Sequence, residues 1–308
     1  MSLAPSRWFT TSDGTRLAVY WQGPRQRPLT IVLVHGWVVD ARVWGPVATA
    51  LAAGPRGWPI VRFDLRGHGN SDPVKPDTAT IDVLADDLAE LLTTEVAGAV
   101  VLGGHSMGGM AIMALAQRHP ELVAARVAGA VFVATSCGGL LPLELGLPPG
   151  LARIVARGES SVIRWASGSR WLMGRERTAR WAGLVRPVVR WLQFGEHPQR
   201  ADVALSSRCV ARCRPASMVA FRATFDEYEQ TAALAAFRHM PTLIMGGTRD
   251  RLTPIRHAER IAAALPHATL IRFPGAGHMV QLERAEQVTQ RIRELLATVE
   301  SSQRLAAE

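Results

Sequence analysis

The sequence predicts an α/β fold, a mostly parallel sheet with helices on both faces and a helical insertion over one sheet edge. Three observations predict it. Short continuous apolar runs recur, as strands buried on both faces require. Helix-like segments separate them. The alternation then stops between Cys137 and about Ala236 and resumes afterwards.

The elements follow in order. Trp8–Thr11 and Leu17–Trp21 flank the turn cluster Ser12-Asp13-Gly14-Thr15 and read as a hairpin. Thr30–Val34 and Ile60–Phe63 read as buried strands. Between them, Val43–Ala53 has helical composition and stops near Gly54-Pro55. Ile81, Leu84, Leu88, Leu91 and Leu92 recur at spacings of three and four, which makes an amphipathic helix. Strand Ala99–Gly103, helix Met107–Arg118 and strand Ala130–Ala134 come next. After the break, strand Thr242–Met245, helix Pro254–Leu265, strand Thr269–Phe273 and helix Glu283–Val299 restore the alternation, and Ser301–Glu308 reads as a frayed tail. Residues 1–136 and 237–308 would form the core domain, with 137–236 a helical cap above the edge where ligands bind.

The 308 residues are 48% hydrophobic and 20% charged, the balance of a globular protein rather than a disordered one. No apolar run reaches the roughly 18 residues of a membrane span, and Met1–Gly14 lacks the apolar core of a secretory signal. A soluble, cytoplasmic protein is expected. Three cysteines make no disulfide framework, and no Cys or His cluster completes a metal site around Cys209 and Cys213. The net charge of +9 rests almost wholly on arginine, since Lys75 is the only lysine. That bias fits a GC-rich genome, and without a basic nucleic-acid module no nucleic-acid partner is expected.

The chemistry lies at the strand ends. Gly104-His105-Ser106-Met107-Gly108 fits G-x-S-x-G between a strand and a helix, where a tight turn strains the serine and projects its hydroxyl outward. Ser106 is therefore the candidate nucleophile, and it needs a base. His278, in a glycine-bearing loop after the last strand, lies at the same edge. His119, His239 and His267 read as surface residues, and His197 and His257 as remote from any strand end. Asp250, after strand Thr242–Met245, is the candidate carboxylate that fixes the imidazole tautomer. Asp226 and Glu227 are rivals placed in the insertion. The order Ser106, Asp250, His278 suits this architecture. An oxyanion site needs two backbone donors, assigned to the N–H groups of Met107 and Trp37, and the Trp37 indole is a candidate pocket wall.

On these motifs the chain resembles the α/β-hydrolase family over nearly its whole length. Four segments match in order: His35-Gly36-Trp37, Asp64 to Ser71, Gly104 to Gly109, and the Asp250 and His278 loops. The resemblance implies an eight-stranded sheet, a cap inserted after the sixth strand, and supporting rather than catalytic roles for His35 and His68. Ser106 separates the chain from similar hydrolases and dehalogenases that use aspartate there. The elbow is similar to those of monoacylglycerol lipases and carboxylesterases. His35-Gly36-Trp37 is also similar to cofactor-free haloperoxidases, which usually continue with proline where this chain has Val38.

Ten arginines fall between Arg153 and Arg200, opposed by Glu159, Glu176 and Glu196 and interleaved with Trp165, Trp171, Trp181 and Trp191. Such a segment can lie on an anionic membrane surface, or its tryptophans can pack on the core while its arginines face water. The second reading is preferred. The expected activity is hydrolysis of a small-molecule carboxylic ester, including lipid esters, through an acyl-enzyme, and it requires no metal or organic cofactor. The alternatives are carbon–carbon or thioester hydrolysis or perhydrolysis with the same three residues, and a non-catalytic binding protein on this fold. Oligomeric state is not legible in one sequence. A histidine base requires the rate to fall as pH drops through about 7. A kcat/KM profile on an activated ester checks this, and a flat profile from about pH 5 to 8 contradicts it.

Overall fold

A computed structural model describes residues 4–25, 27–53, 57–75, 77–140 and 182–307. Seven of the ten arginines between Arg153 and Arg200, with Trp165, Trp171 and Trp181, lie outside the described residues. One eight-stranded sheet carries the fold, in the order β1-β2-β4-β3-β5-β6-β7-β8. β1 (Arg7–Thr10) and β2 (Arg16–Gln22) form the expected hairpin, and β2 pairs antiparallel with β4 (Ile60–Phe63). The others, β3 (Leu29–Val34), β5 (Ala99–His105), β6 (Val127–Val133), β7 (Thr242–Gly247) and β8 (Thr269–Phe273), continue the sheet in parallel.

The described helices are α1 (Gly45–Ala52), α2 (Ile81–Thr94), α3 (Met107–Arg118), α4 (Pro120–Arg126), α5 (Ala182–Gln193), α6 (Arg200–Arg212), α7 (Pro215–Ala223), α8 (Ile255–Ala264), α9 (Val280–Glu283) and α10 (Ala285–Ala307). The apolar strands feed two cores. Leu29, Ile31 and Leu33 of β3 pack with Leu51 of α1 and Ile292 of α10. Val32 and Val34 face the opposite core, with Leu88 of α2 and Ile112 of α3. Period-two alternation inside an unbroken apolar run is what puts helices on both faces.

Three expectations change and one helix is new. The helix expected from Val43 begins as a 3-10 turn, Ala41–Trp44, capped by the Asp40 carboxylate, and α1 follows. α4 was not legible: Pro120 suits the first turn of a new helix immediately after α3. The last helix is two, α9 and α10, broken at Arg284. The tail is not frayed, because α10 runs to Ala307: Leu296 and Val299 anchor it in the core and Gln303, Arg304 and Leu305 favour helix. Among the described residues no helix is long and apolar enough to cross a membrane.

The Asp64–Ser71 loop is tied down by buried polar contacts. Arg66 Nε and Nη2 donate to the Asp87 carboxylate of α2 at 2.6 and 2.5 Å, and Nη1 donates to Asp13 at 2.8 Å. Both members of the Arg66–Asp87 pair are only 2% exposed, so neither charge has water to fall back on. Arg66→Met should lower the free energy of urea unfolding by about 3–5 kcal/mol, because it strands the Asp87 charge. Arg66→Met/Asp87→Leu should recover most of that loss, and equal losses in the two variants would refute the account.

Candidate active site

The carboxyl ends of the parallel strands bring the loops after β3, β5, β6, β7 and β8 to one edge. Ser106 sits between β5 and α3 with φ 52° and ψ −121°, a left-handed φ that non-glycine residues rarely adopt. The turn is held by the Ser106 N–H donating to Val133 O at 2.9 Å and by Thr135 Oγ1 donating to Ser106 O at 2.7 Å. Glycine is required on both sides. A Cβ on Gly104 would lie 2.5 Å from Gly109 Cα, and one on Gly108 would overlap the Val34 carbonyl oxygen.

The histidine is buried and oriented. His278 Nδ1 lies 2.9 Å from Asp250 Oδ2, so the Nδ1–H form donates to the carboxylate. Asp250 is buried too, and its Oδ1 accepts the N–H groups of Leu252 and Thr253 at 2.8 and 2.9 Å. One Asp250 oxygen thus holds the turn before α8 while the other meets the imidazole. The rival Asp226 instead pairs with Arg222 at 2.8 Å. The Ser106 hydroxyl takes no hydrogen-bond partner among the described residues.

Met107 opens α3, where its N–H has no intrahelical carbonyl to meet. The Trp37 loop lies against the serine: a Cβ on Gly36 would sit 3.0 Å from Ser106 Cβ. The Trp37 indole N–H donates to Met218 O of α7 at 3.0 Å, and the ring meets Phe225 edge to face.

Ser106, His278, Trp37 and Thr253 line a cavity of about 370 Å³. Its wall is mainly apolar. Val185, Val188, Val189 and Leu192 come from α5, Met218 from α7 and Met110 from α3, while Arg222 and Asp226 add one charged pair. Among the described residues no cluster of histidine, cysteine or acidic side chains could hold a metal ion.

The supporting histidines are buried and neutral. His35 Nε2 accepts the Leu65 N–H at 2.9 Å and Nδ1 donates to Gly36 O at 2.7 Å. His68 Nε2 accepts the Val38 N–H at 3.3 Å and Nδ1 donates to Arg66 O at 3.0 Å. Together they fasten the 35–38 loop to the 64–71 loop. Burial pushes His35 down to about 4 and His68 down to about 3. His105 is buried beside His278, its ring centroid 4.8 Å away, and its Nε2–H donates to the His278 carbonyl at 3.1 Å. His257, read from sequence as remote from any strand end, is buried against Ser136 just past β6, with Nδ1 2.8 Å from the hydroxyl. α8 folds back along β7, which a linear reading does not reveal.

Thr253 was missed. Its hydroxyl lies 2.9 Å from both Ala134 O and Asp250 Oδ2, and 3.2 Å from His278 Nδ1. A hydroxyl has one proton to give, so Thr253 can satisfy one of those oxygens while accepting a weaker share of the Nδ1–H. Its spacing of three from Asp250 is the only sequence signal.

The chain matches the alpha/beta hydrolase family over residues 31–291. It belongs to that family. The hydrolase is 29% identical over 264 residues to a pimeloyl-[acyl-carrier protein] methyl ester esterase of Aromatoleum aromaticum, covering 83% of this chain and 93% of the other. It is 30% identical to a non-heme chloroperoxidase of Streptomyces lividans, covering 87% and 91%. A thermophilic esterase from Thermogutta terrifontis shares its architecture with a TM-score of 0.73 and 26% identity, covering 95% and 98%.

A histidine held neutral by burial stabilises the hydrolase least in acid. The unfolded chain takes up the proton near 6.5 while folded His68 refuses it until about 3, so stability present above 6.5 drains away as pH falls through that window. Between about pH 6 and 4, wild-type unfolding free energy should fall more steeply than that of His68→Gln, by up to about 1.4 kcal/mol per pH unit. Parallel curves from urea titrations would show that His68 titrates normally in the folded state.

Proposed function

We propose that this hydrolase cleaves carboxylic esters through an acyl-enzyme on Ser106, with His278 as base and Asp250 as its orienting carboxylate. The observation that carries the reading is the buried Asp250–His278 bond of 2.9 Å on the cavity that Ser106 also lines. Substrate entry closes the serine–histidine contact, as such contacts often tighten only in the Michaelis complex. Ser106 Oγ then attacks the carbonyl carbon, and its proton passes to His278 Nε2. The oxyanion is received by the Met107 and Trp37 N–H groups, each contributing about 3 kcal/mol. Collapse expels the alcohol, which takes the proton from His278. Water, deprotonated by the same imidazole, releases the acid and restores Ser106. Asp250 stabilises the imidazolium and fixes its tautomer.

The apolar wall contributed by α5 and α7 favours a hydrophobic acyl or alcohol part, lipid esters included, and the insertion between β6 and β7 acts as the cap that shapes it. The named relatives include both an ester hydrolase and a chloroperoxidase, so perhydrolysis on the same three residues is the second reading. Val38 weighs against it. Its φ of 59° is a conformation that proline, locked near −65°, cannot take.

A fluorophosphonate should label the wild type, and Ser106→Ala should abolish labelling and lower kcat/KM on p-nitrophenyl esters by about 10⁴-fold or more. Rates on a panel of esters should rise from acetyl to medium-length acyl chains as the apolar wall fills. Labelling that survives Ser106→Ala would refute the nucleophile. Halogenation with peroxide that outpaces hydrolysis would favour the second reading.

A further inference from the structure

The His278 loop is fastened to the end of the helix that walls the cavity. α5 ends at Gln193, whose carbonyl, like the last carbonyls of any helix, has no intrahelical donor. It accepts two N–H groups from the histidine loop, that of His278 at 2.9 Å and that of Met279 at 3.0 Å. Three residues on, the Glu196 N–H donates to Gly275 O at 2.9 Å. The backbones approach so closely that only glycine fits on each side. A Cβ on Gly195 would overlap the Gly275 carbonyl oxygen, and one on Gly277 would lie 2.5 Å from Gly195 N.

One carboxylate spans this junction. Glu283 of α9 accepts the Gly195 N–H through Oε2 at 2.9 Å and the Gly277 N–H through Oε1 at 2.8 Å. Neither oxygen can be replaced by an amide nitrogen without turning one N–H toward a second donor. Gly277 immediately precedes His278, whose ring makes the Asp250 bond. A shift of the loop at Gly277 is therefore a shift of the imidazole.

We propose that Glu283 is a positioning residue for His278. Its carboxylate locks the histidine loop to the Gln193–Glu196 segment, so that the base and the cavity wall form one unit. This rests on reading His278 as the base. Burial raises the Glu283 pKa, and its two N–H bonds act against that rise.

The test is steady-state kinetics of full-length Glu283→Gln on a medium-chain p-nitrophenyl ester, with Gly195→Ala as a second variant that forces the same junction apart. Thermal unfolding of both is followed. A loop displaced by a fraction of an ångström leaves the apolar wall intact but spoils proton transfer. The expected result is a kcat about 10–100-fold lower, with KM within about twofold and cooperative unfolding well above the assay temperature. Fluorophosphonate labelling should slow in parallel. A wild-type kcat in Glu283→Gln overturns the proposal, and so does activity that falls only in step with the folded fraction. A wild type that no fluorophosphonate labels would instead overturn the Ser106 reading beneath it.

Discussion

The structure depends on one close approach of backbone. Between β5 and α3 the chain reverses from strand to helix within a single residue, and that residue, Ser106, is held at φ 52°. The reversal is sterically open only because Gly104 and Gly108 present no side chain to the helix and to β3. Local strain of this kind persists when surroundings over-determine it. Here the surroundings are a parallel sheet buried on both faces, and bonds from Ser106 N–H to β6 and from Thr135 to Ser106 O.

The sheet order explains why distant parts of the chain meet. β3 lies beside β5, and β6, β7 and β8 follow on the other side, so the loops that leave their carboxyl ends are neighbours in space. The buried polar groups then set the loops' positions. His35 and His68 clasp the loop after β3, His105 donates to the His278 backbone, and Glu283 bridges Gly195 and Gly277. The three histidines are buried, Glu283 is half-buried and all are hydrogen-bonded, so moving any of them strands a partner. The rigidity of the site thus comes from the cost of leaving polar atoms unpaired as much as from apolar packing.

Much of the fold was legible because it is written in local patterns. Thr30–Val34, Ile60–Phe63 and Ala99–Gly103 read as strands from continuous apolar runs, and each lies within or coincides with an observed strand. Ser106, Asp250 and His278 could be named as candidates because each follows a strand and two lie in glycine-bearing turns. What failed was of another kind. His257 looked remote until α8 was seen to pack along β7, and Thr253, Gln193 and Glu283 carry no motif. Their roles exist only through partners far away in the chain, such as Gln193 O beneath His278 N and Glu283 across Gly195. Spacing rules report neighbours along a strand or helix face and are silent about such pairs.

The sequence by itself determined the alternation of strands and helices, the strained serine turn and the kinds of side chain at the strand ends. Burial periodicity and glycine sterics act over a few residues, so they can be read in one dimension. Tertiary structure alone decided that Asp250 rather than Asp226 meets His278, that α5 and α7 wall the cavity, and that the end of α5 grips the histidine loop. Those outcomes turn on hydrogen-bond geometry between segments tens of residues apart, and that geometry exists only once the chain has closed on itself.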